Sequence, residues 1–156
     1  MTREGSCQCG HVNYEVHGPE IGLVFCYCTE CQRLSTGIGT YSMVFPRDAF
    51  RLVSGRLKRY ERAGHAGTRN VGRFCSECGV RIFHEDPELS YIRLKAGTLN
   101  NASELEPDAH VWTRSAPAWV TFPDGCLSYQ TQGEIAEMIA AVQARRAARA
   151  GQRNDV

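Results

Sequence analysis

Seven of the eight cysteines in this 156-residue chain lie in three tight groups. Two groups are pairs followed by glycine, and the third places three cysteines within six residues. Thiolates at these spacings bind one tetrahedral metal ion, with Zn–S bonds of about 2.3 Å, when the backbone between them folds into a tight knuckle. A following glycine relieves the strain where the chain turns. The groups are Cys7 and Cys9, then Cys26, Cys28 and Cys31, then Cys75 and Cys78.

Each cysteine pair supplies half of a tetrahedral shell. If Cys7 and Cys9 share a zinc ion with Cys75 and Cys78, the ion ties the N-terminal strand to the middle of the chain, which is a structural role. Two unrelated pairs of buried thiols are one alternative. A redox dithiol at Cys75 and Cys78 is another, although it needs a βαβ context that the sequence does not show. Spacing alone does not decide which group partners which.

The group of three cysteines fills three corners of a tetrahedron and leaves the fourth to another ligand. Catalytic zinc is usually built in this way, with three protein ligands and one exchangeable position. In the alternative interpretation, a distant side chain closes the shell and makes this site structural too. The candidates for that fourth ligand are Cys126, His11, His65, His84 and His110.

Composition favours small molecules over nucleic acid as partners. The net charge is +1, from 18 Lys and Arg against 17 Asp and Glu, so the chain lacks the overall basic field that draws a protein onto nucleic acid. No signal-peptide core and no apolar run long enough to span a bilayer is evident. We therefore expect a cytoplasmic protein without a membrane partner. In that reducing compartment, clustered cysteines indicate metal binding rather than disulfides.

The cysteines are set among short β-favouring runs bounded by Gly, Pro, Asp or Ser. These runs cover residues 11–16, 41–45, 50–53, 81–83 and 91–94. None is followed by the long amphipathic helix of a parallel βαβ unit, so the pattern predicts a mainly β, antiparallel fold. Helix is expected only at the end, over residues 134–150, where apolar residues recur at helical spacing and arginines gather late. The predicted organisation is a zinc-binding β domain over 1–132 and a C-terminal helix and tail over 133–156.

Three segments resemble the glutathione-dependent formaldehyde-activating enzyme and centromere protein V family: Gly5–Tyr14, Cys26–Arg33 and Phe74–Gly79. The resemblance continues to Pro123-Asp124-Gly125 and covers roughly residues 5 to 130. It implies a β-tent of antiparallel sheets stapled by zinc, with two zinc ions per chain. It also implies that Cys7, Cys9, Cys75 and Cys78 hold the structural ion, and that Cys26, Cys28 and Cys31 hold a second, catalytic one. Tyr27 stands where the family frequently has His.

The activity that this resemblance implies joins the thiol of glutathione to formaldehyde, giving S-hydroxymethylglutathione. Written in reverse, this is a carbon–sulfur lyase reaction. The expected partners are a small-molecule thiol of the glutathione type and an aldehyde, and a homo-oligomer is compatible with the sequence. The alternative function is a non-catalytic, zinc-stabilised binding module with a protein or nucleic acid as its partner. The near-neutral charge disfavours nucleic acid in that role.

Overall fold

Eleven strands and two α-helices are assigned in the computed structural model, which describes residues 1–64 and 67–153. The strands form two sheets. In chain order the elements are β1 Thr2–Ser6, β2 Asn13–His17, β3 Gly22–Cys26, α1 Thr29–Ser35, β4 Thr40–Pro46, β5 Phe50–Ser54, β6 Leu57–Ala63, β7 Arg69–Cys75, β8 Arg81–Glu85, β9 Tyr91–Lys95, β10 Ala109–Val111, β11 Leu127–Tyr129 and α2 Ile135–Arg153. The mainly β fold with a C-terminal helix is thereby confirmed.

The first of two compact units comprises Met1–Glu20 and Met43–Leu105. It contains an antiparallel three-stranded sheet in the order β1-β2-β5, and the antiparallel series β9-β8-β7-β6. Side chains on alternate positions of these strands point to the same face, and the inward ones are fully buried. The fully buried apolar side chains of this unit include those of Val12, Tyr14, Val16, Phe45, Val71, Ile82, Ile92 and Leu94.

A buried tyrosine explains why strand β1 contains a glycine. The Tyr14 hydroxyl donates a hydrogen bond to Thr98 Oγ1 at 2.6 Å, and the Thr98 hydroxyl donates to the Lys95 carbonyl at 2.8 Å. A Cβ atom at Gly5 would lie 2.2 Å from Tyr14 Oη and 2.5 Å from the Thr98 carbonyl oxygen. Only glycine therefore lets the phenol cross β1 and reach its partner.

The second unit comprises Ile21–Ser42 and the residues from Glu106 onward. Strand β10 lies between β3 and β11 and pairs with both of them in parallel. Asp108, just before β10, is buried; it accepts the backbone N–H of Leu23 at 2.8 Å and two hydrogen bonds from Arg146 of α2. Met138 and Val142 of α2 are buried too. The Asp108–Arg146 pair and the buried side chains of Met138 and Val142 together hold α2 in place.

Two local features differ from the sequence-based expectations. Helix was expected only at the end, but α1 forms directly after the second cysteine of the group of three. It is seven residues long and none of its residues is buried, so it lacks the apolar periodicity that predicts a helix. The parallel pairs were not expected either, because β3 and β10 are joined by a connection of some eighty residues rather than by one helix. The predicted division into a β domain over 1–132 and a C-terminal helix and tail over 133–156 stays a prediction. Residues 154–156 of that predicted tail lie outside the described residues.

Neither α-helix in the described part of the chain is long and apolar enough to cross a membrane.

The Gly5 contact gives a test of packing in the first unit. We expect Gly5→Ala to lower the free energy of unfolding by about 3 kcal/mol, since the new methyl group overlaps both a side chain and backbone. Gly97→Ala is the matched control, because a Cβ there meets nothing within 4 Å and the change should stay within about 0.5 kcal/mol. Urea denaturation of both variants measures the difference, and equal stabilities would contradict the tight crossing of Tyr14.

Candidate metal centres

Four cysteines of the first unit converge on one point. The sulfur atoms of Cys7, Cys9, Cys75 and Cys78 all lie within 4.8 Å of one another. Cys7 Sγ is 3.5 Å from Cys9 Sγ, and Cys9 Sγ is 3.9 Å from Cys75 Sγ. In a tetrahedron with Zn–S bonds of about 2.3 Å, the sulfurs are about 3.8 Å apart. The four sulfurs therefore fit a closed tetrahedral ion.

The backbone folds in the same way around each pair. The Cys7 N–H donates to the Val12 carbonyl at 3.0 Å, and the Cys7 carbonyl accepts the Gly10 N–H at 3.1 Å. In the same way, the Cys75 N–H donates to the Val80 carbonyl at 2.9 Å, and the Cys75 carbonyl accepts the Gly79 N–H at 3.1 Å. Gly10 and Gly79 have φ of 74° and 76°, the left-handed region that glycine adopts without strain. Each pair therefore lies in a tight knuckle, the backbone geometry that a metal site built from two cysteine pairs needs.

Amide groups in both knuckles point at sulfur. The Val12 N–H donates to Cys7 Sγ at 3.2 Å, and the Glu77 N–H donates to Cys75 Sγ at 3.4 Å. The Val80 backbone N–H is the main cause that lowers the pKa of the Cys78 thiol to about 6. Such donors stabilise thiolates, which are the form that binds metal.

The group of three cysteines lies in the second unit, at the junction of a strand and a helix. Cys26 ends β3, Cys28 is the N-cap of α1, and Cys31 lies in its first turn. Their sulfur atoms lie within 4.8 Å of one another. Cys28 is buried, and its sulfur accepts the Cys31 N–H at 3.4 Å, whereas Cys26 and Cys31 are half-buried. The site therefore combines one buried cysteine with two half-buried ones.

Three negatively charged thiolates this close together repel one another unless a cation lies among them. Hydrogen bonds with Cys28 and Cys31 raise the pKa of the Cys26 thiol, and burial raises it further. A divalent ion removes that penalty by replacing the shared protons. The donor set is accordingly suited to a thiophilic ion such as zinc.

No fourth ligand completes this cluster from within the described residues. Among residues 1–64 and 67–153, no further His, Cys, Asp or Glu places a ligand atom within 4.8 Å of all three sulfurs. Two of the candidates are engaged elsewhere, since His110 Nδ1 is hydrogen-bonded to Tyr27 Oη at 3.1 Å and His84 Nε2 to Arg81. His65 lies outside the described residues.

Tyr27 lies between Cys26 and Cys28, directly after β3, and anchors this segment. Its side chain is buried beside Phe25 and Phe122, and its ring stacks on His110 with centroids 5.9 Å apart. Its backbone N–H donates to the Val111 carbonyl at 3.0 Å. The sequence identified the departure at Tyr27 but not its partner His110, because the two are 83 positions apart.

Gln32 is a second positioning residue that the sequence analysis missed. Its side-chain Nε2 donates to the carbonyls of Tyr27 at 2.8 Å and Ser115 at 2.7 Å. Its backbone N–H donates to the Cys28 carbonyl at 3.0 Å. Gln32 thus ties α1 to Tyr27, which follows β3, and to Ser115, which follows β10. Its only sequence signal is that it directly follows Cys31.

Comparisons with known proteins agree with this geometry. The family model described as "Glutathione-dependent formaldehyde-activating enzyme" matches residues 2–115. The chain belongs to this family. A Halomonas elongata protein named "Putative glutathione-dependent formaldehyde-activating enzyme" is 28% identical over an alignment of 148 residues, which covers 88% of this chain and 94% of that protein. The crystal structure of a Rhodobacter sphaeroides protein matches with a TM-score of 0.51 at 20% identity, over 81% of this chain and 98% of that one, and supports the fold. The family resemblance drawn from the cysteine motifs is confirmed.

The buried His110 predicts a pH effect on the second unit. Burial, and then the charge of Arg145, lower the pKa of His110 below the ordinary value of about 6.5. The unfolded chain therefore takes up a proton first, so this contribution to stability is complete above pH 6.5 and is lost as the pH falls below it. We expect His110→Gln to flatten the decline of unfolding free energy between pH 7 and pH 5, by at most about 1.4 kcal/mol per pH unit.

Urea unfolding at several pH values measures both slopes. Protonation of the cysteine ligands acts on both proteins equally, so the difference between the slopes isolates His110. Parallel curves would show that the imidazole does not remain neutral in the folded protein.

Proposed function

We propose that the protein binds two zinc ions per chain and catalyses the addition of glutathione to formaldehyde, giving S-hydroxymethylglutathione. Cys7, Cys9, Cys75 and Cys78 hold a structural ion, and Cys26, Cys28 and Cys31 hold the catalytic one. In the opposite direction the reaction is that of a carbon–sulfur lyase. We assign the protein to the cytoplasm, where thiols stay reduced and available as ligands.

One observation carries this proposal, namely the contrast between the two cysteine clusters. One cluster offers four sulfurs at tetrahedral separations, which leaves an ion there no position for a substrate. The other offers three sulfurs, two of them half-buried, and the described residues add no fourth ligand. A closed and an open site are the hallmarks of structural and catalytic zinc.

The main task of the protein in this reaction is to position the thiol and the aldehyde. A zinc ion held by the three sulfurs has one open position, where it would either stabilise an incoming thiolate or instead polarise an aldehyde oxygen. The thiol sulfur forms the new carbon–sulfur bond, the carbon–oxygen π pair moves to oxygen, and that oxygen takes the proton that the thiol gave up. No oxidant or reductant is consumed.

The chain's own contribution is to hold the cysteines and moderate their charge. Three thiolates carry more negative charge than one dication, so N–H donors at the sulfurs matter. The Cys31 amide supplies one such donor to Cys28. Gln32 fixes the relation between the strand and the helix that bear the ligands.

The first test of the two sites compares their effect on stability. Purified protein should contain about two zinc ions, of which mild chelation removes one without unfolding the chain. Cys75→Ser should unfold or strongly destabilise it, because structural zinc contributes on the order of 10 kcal/mol to folding. Cys28→Ser should retain near-native circular dichroism with one zinc ion.

Cys126→Ser is the matched control, since Cys126 belongs to neither cluster. It should keep both ions and change stability by less than about 1 kcal/mol. Metal analysis and thermal melting report all three variants. If Cys28→Ser melts as low as Cys75→Ser, the second site is structural and the catalytic assignment fails.

The second test probes the open position with cobalt. With Co(II) at the second site, glutathione should enter as a fourth thiolate and change the visible ligand-field and sulfur-to-metal bands saturably. Cys28→Ser should abolish the response. A glutathione response much tighter than that of cysteine or β-mercaptoethanol supports a dedicated tripeptide site and leads to the assay with formaldehyde.

Equal responses to all thiols would retain a thiol-binding metal but remove glutathione from the proposal. No spectral change with any thiol, in protein that holds cobalt at both sites, would show that the shell is closed. The function would then be better described as a zinc-stabilised binding module.

A further inference from the structure

A cavity of about 500 Å³ lies in the first unit, at the end of strand β1. Its volume is within the range of about 300 to 1,000 Å³ that small-ligand sites occupy. Most of its wall comes from two segments, one that ends β1 and one that follows β9. The lining residues are Ser6, Cys7, Gln8, Val80, Gly97, Thr98, Leu99 and Asn100.

A short antiparallel contact joins these two segments at one end of the cavity. Gly5 and Leu99 form an isolated β-bridge, and the Asn100 N–H donates to the Glu4 carbonyl at 3.0 Å. Both contacts belong to one antiparallel register, in which each step forward along β1 is a step backward along the other segment. The register therefore predicts which residues would pair next.

The cavity opens where that pairing stops. In the same register Ser6 would lie opposite Thr98, and Cys7 would lie opposite Gly97. The ladder ends instead, because Ala96–Thr98 form a single 3₁₀ turn that takes the chain out of the strand conformation. Among the strands assigned in the described residues, β1 has β2 as its partner and lies at the edge of its sheet. The end of β1 thus borders the cavity without a strand beside it.

Gly97 keeps the wall of the cavity open. Its φ does not lie in the left-handed region, and a Cβ atom there would meet nothing within 4 Å. Neither backbone conformation nor packing therefore requires glycine at this position, in contrast to Gly5. Glycine without such a cause is expected where another main chain approaches closely.

Three of the lining side chains can both donate and accept hydrogen bonds. The Ser6 hydroxyl and the amides of Gln8 and Asn100 make no hydrogen bond within residues 1–64 and 67–153. An amide side chain offers a carbonyl and an NH₂ group, which match the N–H and the C=O of a peptide unit. Groups suited to a main chain are thus present on both segments.

The composition of the wall disfavours other classes of ligand. No charged side chain of the described residues lines the cavity, so a carboxylate or phosphate there would lose hydration without gaining a countercharge. No aromatic ring lines it either, whereas nucleobases without duplex partners are held mainly by stacking on such rings. An uncharged polar ligand fits best.

We propose that this cavity binds an extended, uncharged segment of another polypeptide, whose main chain adds to β1 beyond Gly5. In strand addition of this kind, main-chain hydrogen bonds supply the affinity. A segment of three residues spans about 10 Å when extended. The cysteines of the second centre do not line the cavity, so the inference is independent of the proposed catalysis.

An NMR titration of zinc-loaded, ¹⁵N-labelled protein tests the site. The probe is N-acetyl-trialanine amide, which has no charge and no thiol. At millimolar concentrations it should saturably shift the backbone amide signals of Gly97 and Thr98 and the side-chain amide signals of Gln8 and Asn100. An N-methylated form of the same peptide has lost its N–H donors and should bind about tenfold more weakly.

Two substitutions in the wall should weaken binding of the probe. Gly97→Leu fills the open space and should reduce the affinity by about tenfold or more, while thermal melting stays near that of the wild type. Asn100→Ala removes one amide and should reduce the affinity by about threefold to tenfold. Asn101→Ala is the matched control and should bind like the wild type. Asn101 is exposed, lies outside the lining and makes no side-chain capping bond.

Cys28→Ser separates this site from the proposed catalytic centre. It should bind the probe as the wild type does, so a failure of the catalytic proposal would leave the peptide site standing. If Gly97→Leu does not fold, Asn100→Ala and the N-methylated peptide still decide the matter, since the peptide comparison needs no substitution.

Four results would overturn the proposal. The first is that millimolar probe leaves the cavity signals of the wild type unchanged. The second is equal binding of the N-methylated peptide, which would exclude recognition of the main chain. The third is that folded Gly97→Leu binds like the wild type. The fourth is tighter binding of S-methylglutathione than of the neutral peptide at the same signals, which would make the cavity a site for an anionic thiol conjugate.

Discussion

Thiol groups packed to within 4.8 Å of one another cannot all ionise unless a cation lies among them. Hydrogen bonds between sulfurs show the conflict directly, since Cys28 and Cys31 raise the pKa of Cys26. Both cysteine clusters of this protein obey the same constraint, and the surrounding backbone is folded to meet it. The knuckles aim amides at Cys7 and Cys75, and the start of α1 aims one at Cys28. Fold and metal chemistry are therefore coupled at both places.

The two clusters constrain the chain to very different degrees. Cys9 and Cys75 are 66 positions apart, so an ion between them closes a long loop and removes much conformational freedom from the unfolded chain. Cys26, Cys28 and Cys31 span six residues, and an ion there closes almost no loop. The first site is thus built to stabilise the fold of its unit. The second depends on packing around Tyr27 and on the contacts of Gln32, so an ion there would not be needed to close the fold.

The sequence predicted the features that short-range spacing encodes. Cysteine pairs and their glycines identified both knuckles, and periodicity identified α2. The short β-favouring runs identified five of the eleven strands assigned in the described residues, namely β2, β4, β5, β8 and β9. The missing features are those that depend on distant partners. Helix α1 has no apolar stripe and is fixed by its cap and by Gln32, and the parallel strands follow from a long connection. Arg146 is one of the arginines that gather late in the predicted helix, and nothing in that pattern indicates its ion pair with the buried Asp108, 38 positions away. Such contacts leave no periodic trace in the chain.

Net charge is the clearest case in which composition and structure carry different information. A total of +1 excludes a strong field around the whole molecule, but it says nothing about how the charges are distributed. Strand alternation separates them here. On β6, the neighbours Glu61 and Arg62 point to opposite faces, and on β8, His84 and Glu85 do the same. Glu61 thus pairs with Arg59, and Glu85 pairs with Arg73, each on its own face of the sheet. The total charge therefore does not say which charges meet, and the period of two that builds the sheet decides it.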